Sequence, residues 1–142
     1  MNILALDYGR KRIGVAASDP LGLTAQPVTT LEGSPQQALP LIAKLCAERE
    51  VARIVLGLPL NMDGSEGPMA AEVRGFSTRL ISATGLPVEF VDERLSSFSA
   101  EEDLKQMGVR RKRGKKGRRQ RGRVDAMAAA VILREYMNRR RD

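Results

Sequence analysis

The 142-residue chain contains no histidine, and that absence excludes more chemistry than any other feature of the sequence. Without an imidazole there is no Ser-His-Asp or Cys-His triad, no usual general base at neutral pH, and almost no zinc site. Cysteine is nearly as scarce. The single Cys46 lies among Leu41, Ile42, Leu45 and Val51, has no partner for a disulfide or a thiolate metal centre, and reads as core filler. Tryptophan is missing, and two Tyr and three Phe leave little ring surface for stacking. No window approaches the roughly 18 apolar residues of a membrane span. The short apolar run from Met1 to Leu6 meets Asp7 and then Arg10, Lys11 and Arg12, without the pattern of a signal peptide. A soluble cytoplasmic protein is expected, with any chemistry run by carboxylates, lysines, hydroxyls or bound metal.

What is present is charge, unevenly placed. A net +7 arises from 24 Lys and Arg against 17 Asp and Glu. Ten of the cations fall in one acid-free segment: Arg110, Arg111, Lys112, Arg113, Lys115, Lys116, Arg118, Arg119, Arg121 and Arg123. The rest of the chain is therefore slightly acidic. Such a run suits a polyanion backbone, and with few rings for base stacking the contact would be to backbone and shape rather than to sequence. The segment is too polar and too self-repelling to pack, so a flexible basic loop is expected over residues 110–123.

The remaining pattern is that of one α/β domain spanning residues 1–142. Asn2–Asp7 and Arg12–Ser18 read as buried strands joined by a hairpin turn at Tyr8–Lys11. Ala25–Leu31 adds a third strand, which Pro27 assigns to an edge. Ser34 and Pro35 then open a helix that carries Leu39, Ile42, Leu45 and Cys46 and ends near Glu50. Arg53–Gly57 is a short buried strand. A helix capped by Ser65 follows and runs to about Ala83, and Val88–Val91 is the fifth strand. A further helix is expected from Ser96 or Ser97 to Gly108, and the last from about Val124 to Arg139. The layout is a five-stranded mixed sheet, its first three strands an antiparallel meander, with helices on both faces.

Three acids stand out from this frame. Asp7 closes an apolar strand, where a carboxylate needs a compensating partner, and Gly9 lets the following turn approach a ligand; a tight Asp-x-Gly turn is the plainer explanation of the same residues. Asp92 and Glu93 end the fifth strand, and alternation lets only one of them face a site shared with Asp7; pairing with Arg94 at an exposed strand end is the plainer explanation here. Asp125 shares a helix face with Ala128, Ala129, Ile132 and Tyr136, and the alanines around it let the helix press close to the sheet. An Asp near a helix N-terminus also serves the dipole. Such acids suit hard divalent cations, Mg²⁺ or Mn²⁺, and two ions roughly 3.5 to 4 Å apart would serve an in-line phosphoryl displacement. The loop Leu58–Gly67, with Asn61 and Ser65, leads into a helix N-terminus and is a candidate phosphate-receiving loop, which an ordinary Asp63-Gly64 turn with a Ser65 cap explains nearly as well.

Taken together, Leu6-Asp7-Tyr8-Gly9, Arg12-Ile13-Gly14-Val15-Ala16, Gly57-Leu58-Pro59 with Asp63-Gly64-Ser65-Glu66, Asp92-Glu93-Arg94-Leu95-Ser96-Ser97 and Val124-Asp125 with Ala128-Ala129 give the chain a resemblance to a known family. It resembles the YqgF/RuvX family of the ribonuclease H-like superfamily, nucleases associated with pre-16S ribosomal RNA and with Holliday junctions. The resemblance covers essentially the whole chain. It implies a ribonuclease H-like fold, a metal-dependent nuclease, and a metal-holding acidic triad on Asp7, Glu93 and Asp125, which selects Glu93 over Asp92. The partners it implies are RNA first, then branched or single-stranded DNA, and pre-ribosomal particles. Arg10, Lys11, Arg12, Arg94 and the basic run become candidate nucleic-acid contacts. Two departures are visible. RuvC-type resolvases place a fourth acid on the last helix, where this chain has Ala128 and Ala129, and the arginine-rich run is heavier than the family's short basic linker. Asp7-x-Gly9 also resembles the first phosphate motif of actin-like ATPases, which need two lobes, and a non-catalytic RNA- or ribosome-binding module is a third possibility.

Overall fold

In the computed structural model, which describes residues 2–92 and 115–141 with the side chains of the last helix over 125–139, the meander forms where the apolar runs predict it. Strands β1 (Asn2–Asp7), β2 (Arg12–Ser18) and β3 (Ala25–Glu32) pair antiparallel, while β4 (Val51–Leu58) and β5 (Val88–Asp92) run parallel to β1. The sheet order is β3-β2-β1-β4-β5. β3 is an edge, as Pro27 predicts. The ladder between β2 and β3 shifts register where Val15 pairs with Thr29 and Ala16 with Pro27.

Helices α1 (Pro35–Glu48) and α2 (Pro68–Thr84) cover one face, and α3 (Lys115–Arg141) crosses the other. Ser34 caps α1 in a reciprocal capping box with Gln37. The cap of α2 is Gly67 rather than Ser65. Pro68 at the first helical position needs no N–H, so the helix starts there, and Ser65 is engaged in the preceding loop. Gly85 ends α2 at a φ of 70°, its N–H bonded to the Ile81 carbonyl.

Alternation along β1 splits the interior in two. Leu4 and Leu6 join Ile13, Val15, Ile42, Ile54, Leu56, Phe76 and Leu80 under α1 and α2, with Cys46 at the margin of that layer. Burial pushes the Cys46 thiol up to about 11, consistent with core filler. Ile3 and Ala5 join Ala16, Val55, Val91, Ala129, Ala130, Ile132 and Leu133 under α3. At the far end of that second layer, Arg53 donates to Tyr136 at 2.7 Å and to Glu89 at 3.3 Å, and the Tyr136 hydroxyl donates to Glu89.

The last helix starts nine residues before the predicted Val124, so residues 115–123 are helical rather than part of a basic loop. Lys, Arg and Gln keep most of their rotamer freedom in a helix and propagate one readily from a packed segment. Self-repulsion alone argues the other way. Asp125 consequently lies about three turns inside α3, beyond the reach of the helix N-terminus. Arg110–Arg113 and the helix predicted from Ser96 or Ser97 to Gly108 lie outside the described residues. Among the described residues no helix is long and apolar enough to cross a membrane.

Candidate active site

The parallel strands β1, β4 and β5 end at Asp7, Leu58 and Asp92, all on one edge of the sheet. In open α/β sheets the carboxyl ends of strands are where ligands bind. Asp7 has the parity of Ile3 and Ala5 and therefore belongs to the α3 face. Its partner in the β1–β2 ladder is Gly14. A methyl group built on Gly14 would overlap the Asp125 carbonyl and crowd the Ala126 amide. The backbone of α3 thus rests directly on the residue paired with Asp7, and this contact brings the two acids to one edge. Sequence reasoning found Asp7 and Asp125 but not the role of Gly14. The available signal was a glycine inside an apolar strand, which marks close backbone approach.

Asp7 and Asp125 line a single open cleft of about 340 Å³, with Tyr8, Gly9, Arg10, Lys11, Arg12 and Met69. Arg12 Nε stands 2.5 Å from Asp125 Oδ2, an ion pair whose side chains are 31% and 23% exposed. Arg10 turns outward and pairs with Glu72 of α2 at 3.0 Å. Tyr8 donates to the same carboxylate at 2.7 Å, and its ring stands 5.0 Å from that of Phe76. Burial, then the hydrogen bond to Glu72 and the charge of Glu72, push the Tyr8 phenol up to about 12. The Tyr8 hydrogen bond, with Arg10 behind it, holds the Glu72 carboxyl below its ordinary value. The turn between β1 and β2 is closed by Gly9, where a methyl would sit 2.5 Å from the Arg12 carbonyl. Gly9 is therefore needed by the turn itself.

Asn61 and Ser65 have a different part. Their loop folds back as a miniature hairpin, with Leu60 bridged to Glu66 and Asn61 N–H bonded to the Ser65 carbonyl. Asn61 Nδ2 donates to Ser65 Oγ at 3.0 Å, and Ser65 Oγ donates to Asp63 at 2.6 Å. These polar atoms hold the loop together, and neither residue lines the cleft. Glu66 anchors the hairpin to Arg74 through contacts of 2.5 and 2.8 Å, and Arg74 lies over the Phe90 ring.

Of the predicted site residues, the structure gathers Asp7, Asp125, Gly9, Arg10, Lys11 and Arg12 in one cleft. Glu93, Arg94, Arg110, Arg111, Lys112 and Arg113 lie outside the described residues, and Lys115–Arg123 form the first turns of α3. Asp92 has the parity of Val88 and Phe90, which pack on the α1 and α2 side, and so falls on the opposite face from Asp7. Among the described residues no three acids converge as a metal centre. Two carboxylates, from separate elements and in an open cleft, are a hard oxygen donor set of the kind that suits a divalent cation and leaves room for water. Asp125 already has a cation of the protein beside it, Arg12.

The fold and its sequence have close counterparts. The chain is 51% identical over 141 residues to a protein of Anaeromyxobacter sp. (strain K) named "Putative pre-16S rRNA nuclease", covering 99% of this chain and 98% of that one. A protein of Chloroflexus aggregans with the same name is 43% identical, with 99% and 95% covered. A solved structure of Thermus thermophilus RuvC superposes with a TM-score of 0.57 at 14% identity and covers 97% of each chain, a likeness of ribonuclease H-like fold. Residues 1–139 match the family described as "RuvX: Holliday junction resolvase", so the chain that sets two acids beside a glycine-seated helix belongs to the RuvX family.

Proposed function

We propose that this protein is a divalent-metal-dependent nuclease that hydrolyses phosphodiester bonds in 5′-end processing of precursor 16S ribosomal RNA. One observation carries the reading: Asp7 and Asp125, far apart in sequence, line one cleft whose other wall is the basic turn Arg10-Lys11-Arg12. The names of the relatives point to the same substrate. Glu93 completes the metal-holding set in this proposal. In the sequence it directly follows Asp92, the last residue of β5.

Bound between these carboxylates, one or two Mg²⁺ or Mn²⁺ ions would supply an activated water and charge stabilisation for in-line displacement. The chain's own residues do the rest. Asp7 and Asp125 supply oxygen donors from a rigid strand end and a rigid helix, Lys11 holds the phosphate backbone against the cleft, and the ten cations of residues 110–123 add attraction for the polyanion. A Holliday-junction substrate is the second reading, favoured by the description of the matching family.

The test offers precursor ribosomal RNA, single-stranded RNA and four-way DNA junctions in parallel to the purified protein with Mn²⁺ or Mg²⁺. Precursor RNA is expected to be cut fastest. Asp7→Asn should lower cleavage about a thousandfold or more, with melting temperature kept within a few degrees. Equal cleavage by wild type and Asp7→Asn would refute the metal-acid reading, and faster cleavage of junctions would select the second substrate.

A further inference from the structure

The carboxylate that α3 delivers to the cleft already has a cation on it. Arg12 Nε and Asp125 Oδ2 are 2.5 Å apart, with both side chains largely shielded from water. A divalent ion held by Asp7 and Asp125 would draw on the same carboxylate, and two cations crowded onto one half-shielded group repel each other. One must leave. The backbone of Arg12 is not free to do so: it is paired with Glu32 in the β2–β3 ladder, and its carbonyl is packed against Gly9. The motion available is a swing of the guanidinium on its flexible stem.

We propose that Arg12 is the resident counter-ion of Asp125, displaced when a divalent cation binds, so that it keeps the acid in place without metal and sets metal affinity below what the carboxylates alone would give. This rests on the nuclease reading above and assigns Arg12 a role as a positioning residue for the metal. Arg10 provides the internal control, since it lines the same cleft but is paired with Glu72 of α2.

The experiment is calorimetric titration of Mn²⁺ alone, without nucleic acid, into wild type, Arg12→Gln, Arg12→Lys and Arg10→Gln, with thermal melting of each metal-free protein. Arg12→Gln should bind Mn²⁺ about tenfold more tightly than wild type, and Arg12→Lys about threefold more tightly, because an ammonium loses the planar fork. Arg10→Gln should change affinity less than about twofold. The metal-free Arg12→Gln protein should melt lower than wild type and gain more from saturating Mn²⁺. Should Arg12→Gln not fold, tightening in Arg12→Lys alone supports the proposal, and unchanged or weaker binding there overturns it. Unchanged or weaker binding in a folded Arg12→Gln protein overturns it likewise, as does equal tightening in Arg10→Gln. Absence of Mn²⁺ binding in all four proteins would instead remove the nuclease reading on which the proposal stands.

Discussion

Beside the acids the two faces of the sheet differ in side-chain size, and the difference assigns them different work. Under α1 and α2, Leu4, Leu6, Ile13, Val15 and Leu56 meet Ile42, Phe76 and Leu80, so a thick apolar layer separates helix from strand. Toward α3, next to the acids, the sheet offers Ala5, Gly14 and Ala16 and the helix answers with Ala126, Ala129 and Ala130, while Ile3, Val55, Val91, Ile132 and Leu133 fill the rest of that layer. Large side chains bury much area and stabilise by about 1.5 to 3 kcal/mol each. Small ones bury less but let main chain touch main chain. Adjacent residues of one strand end divide accordingly: Tyr8 packs with the thick layer and Asp7 has the parity of the thin one. The thick face supplies the scaffold, and the thin face supplies the close approach on which the acid pair depends.

Gly14 is where this contrast breaks most sharply. Gly14→Ala forces a methyl into the Asp125 backbone, which has no flexible group to give way. It should lower cleavage about a hundredfold by shifting one acid relative to the other, and cost about 3 kcal/mol in urea unfolding. Leu80→Ala, in the thick layer, should cost about 3 kcal/mol by the cavity it leaves. Its cleavage rate per folded molecule should stay within about twofold of wild type. Equal losses of cleavage in the two variants would show that the faces share one task.

The smallest effect concerns Tyr8 and sharpens the contrast at the strand end. Ultraviolet titration should find a phenol ionising at about 12, against an ordinary 10.0. Glu72→Gln should lower that value only partway, because burial is the larger cause. The sign follows from linkage: a pKa raised on folding adds stability that is present in full below pH 10 and disappears as pH rises from 10 toward 12. A phenol unmoved in Glu72→Gln would mean that burial alone sets it.

Much of this architecture is written locally. The strands follow from apolar runs such as Asn2–Asp7, α1 from Ser34-Pro35 and its spaced apolar residues, and the edge position of β3 from Pro27. Asp7 is legible because an acid ends an apolar strand, and Asp125 because alanines surround it. What escaped is pairwise and long-range. No local pattern says that Arg12 will meet Asp125, or that Gly14 will seat the helix carrying it. The start of α3 escaped for another reason: like charges argue against order while the same side chains favour helix, and composition does not say which prevails.

Pro27 has a consequence outside catalysis. An unprotected outer strand can recruit a strand from another molecule and seed an endless ribbon. At Pro27 the outermost strand lacks one donor, and beside it the pairing skips a residue, so an incoming chain finds no continuous row of partners. Along that border the sheet is therefore a poor template for a further strand.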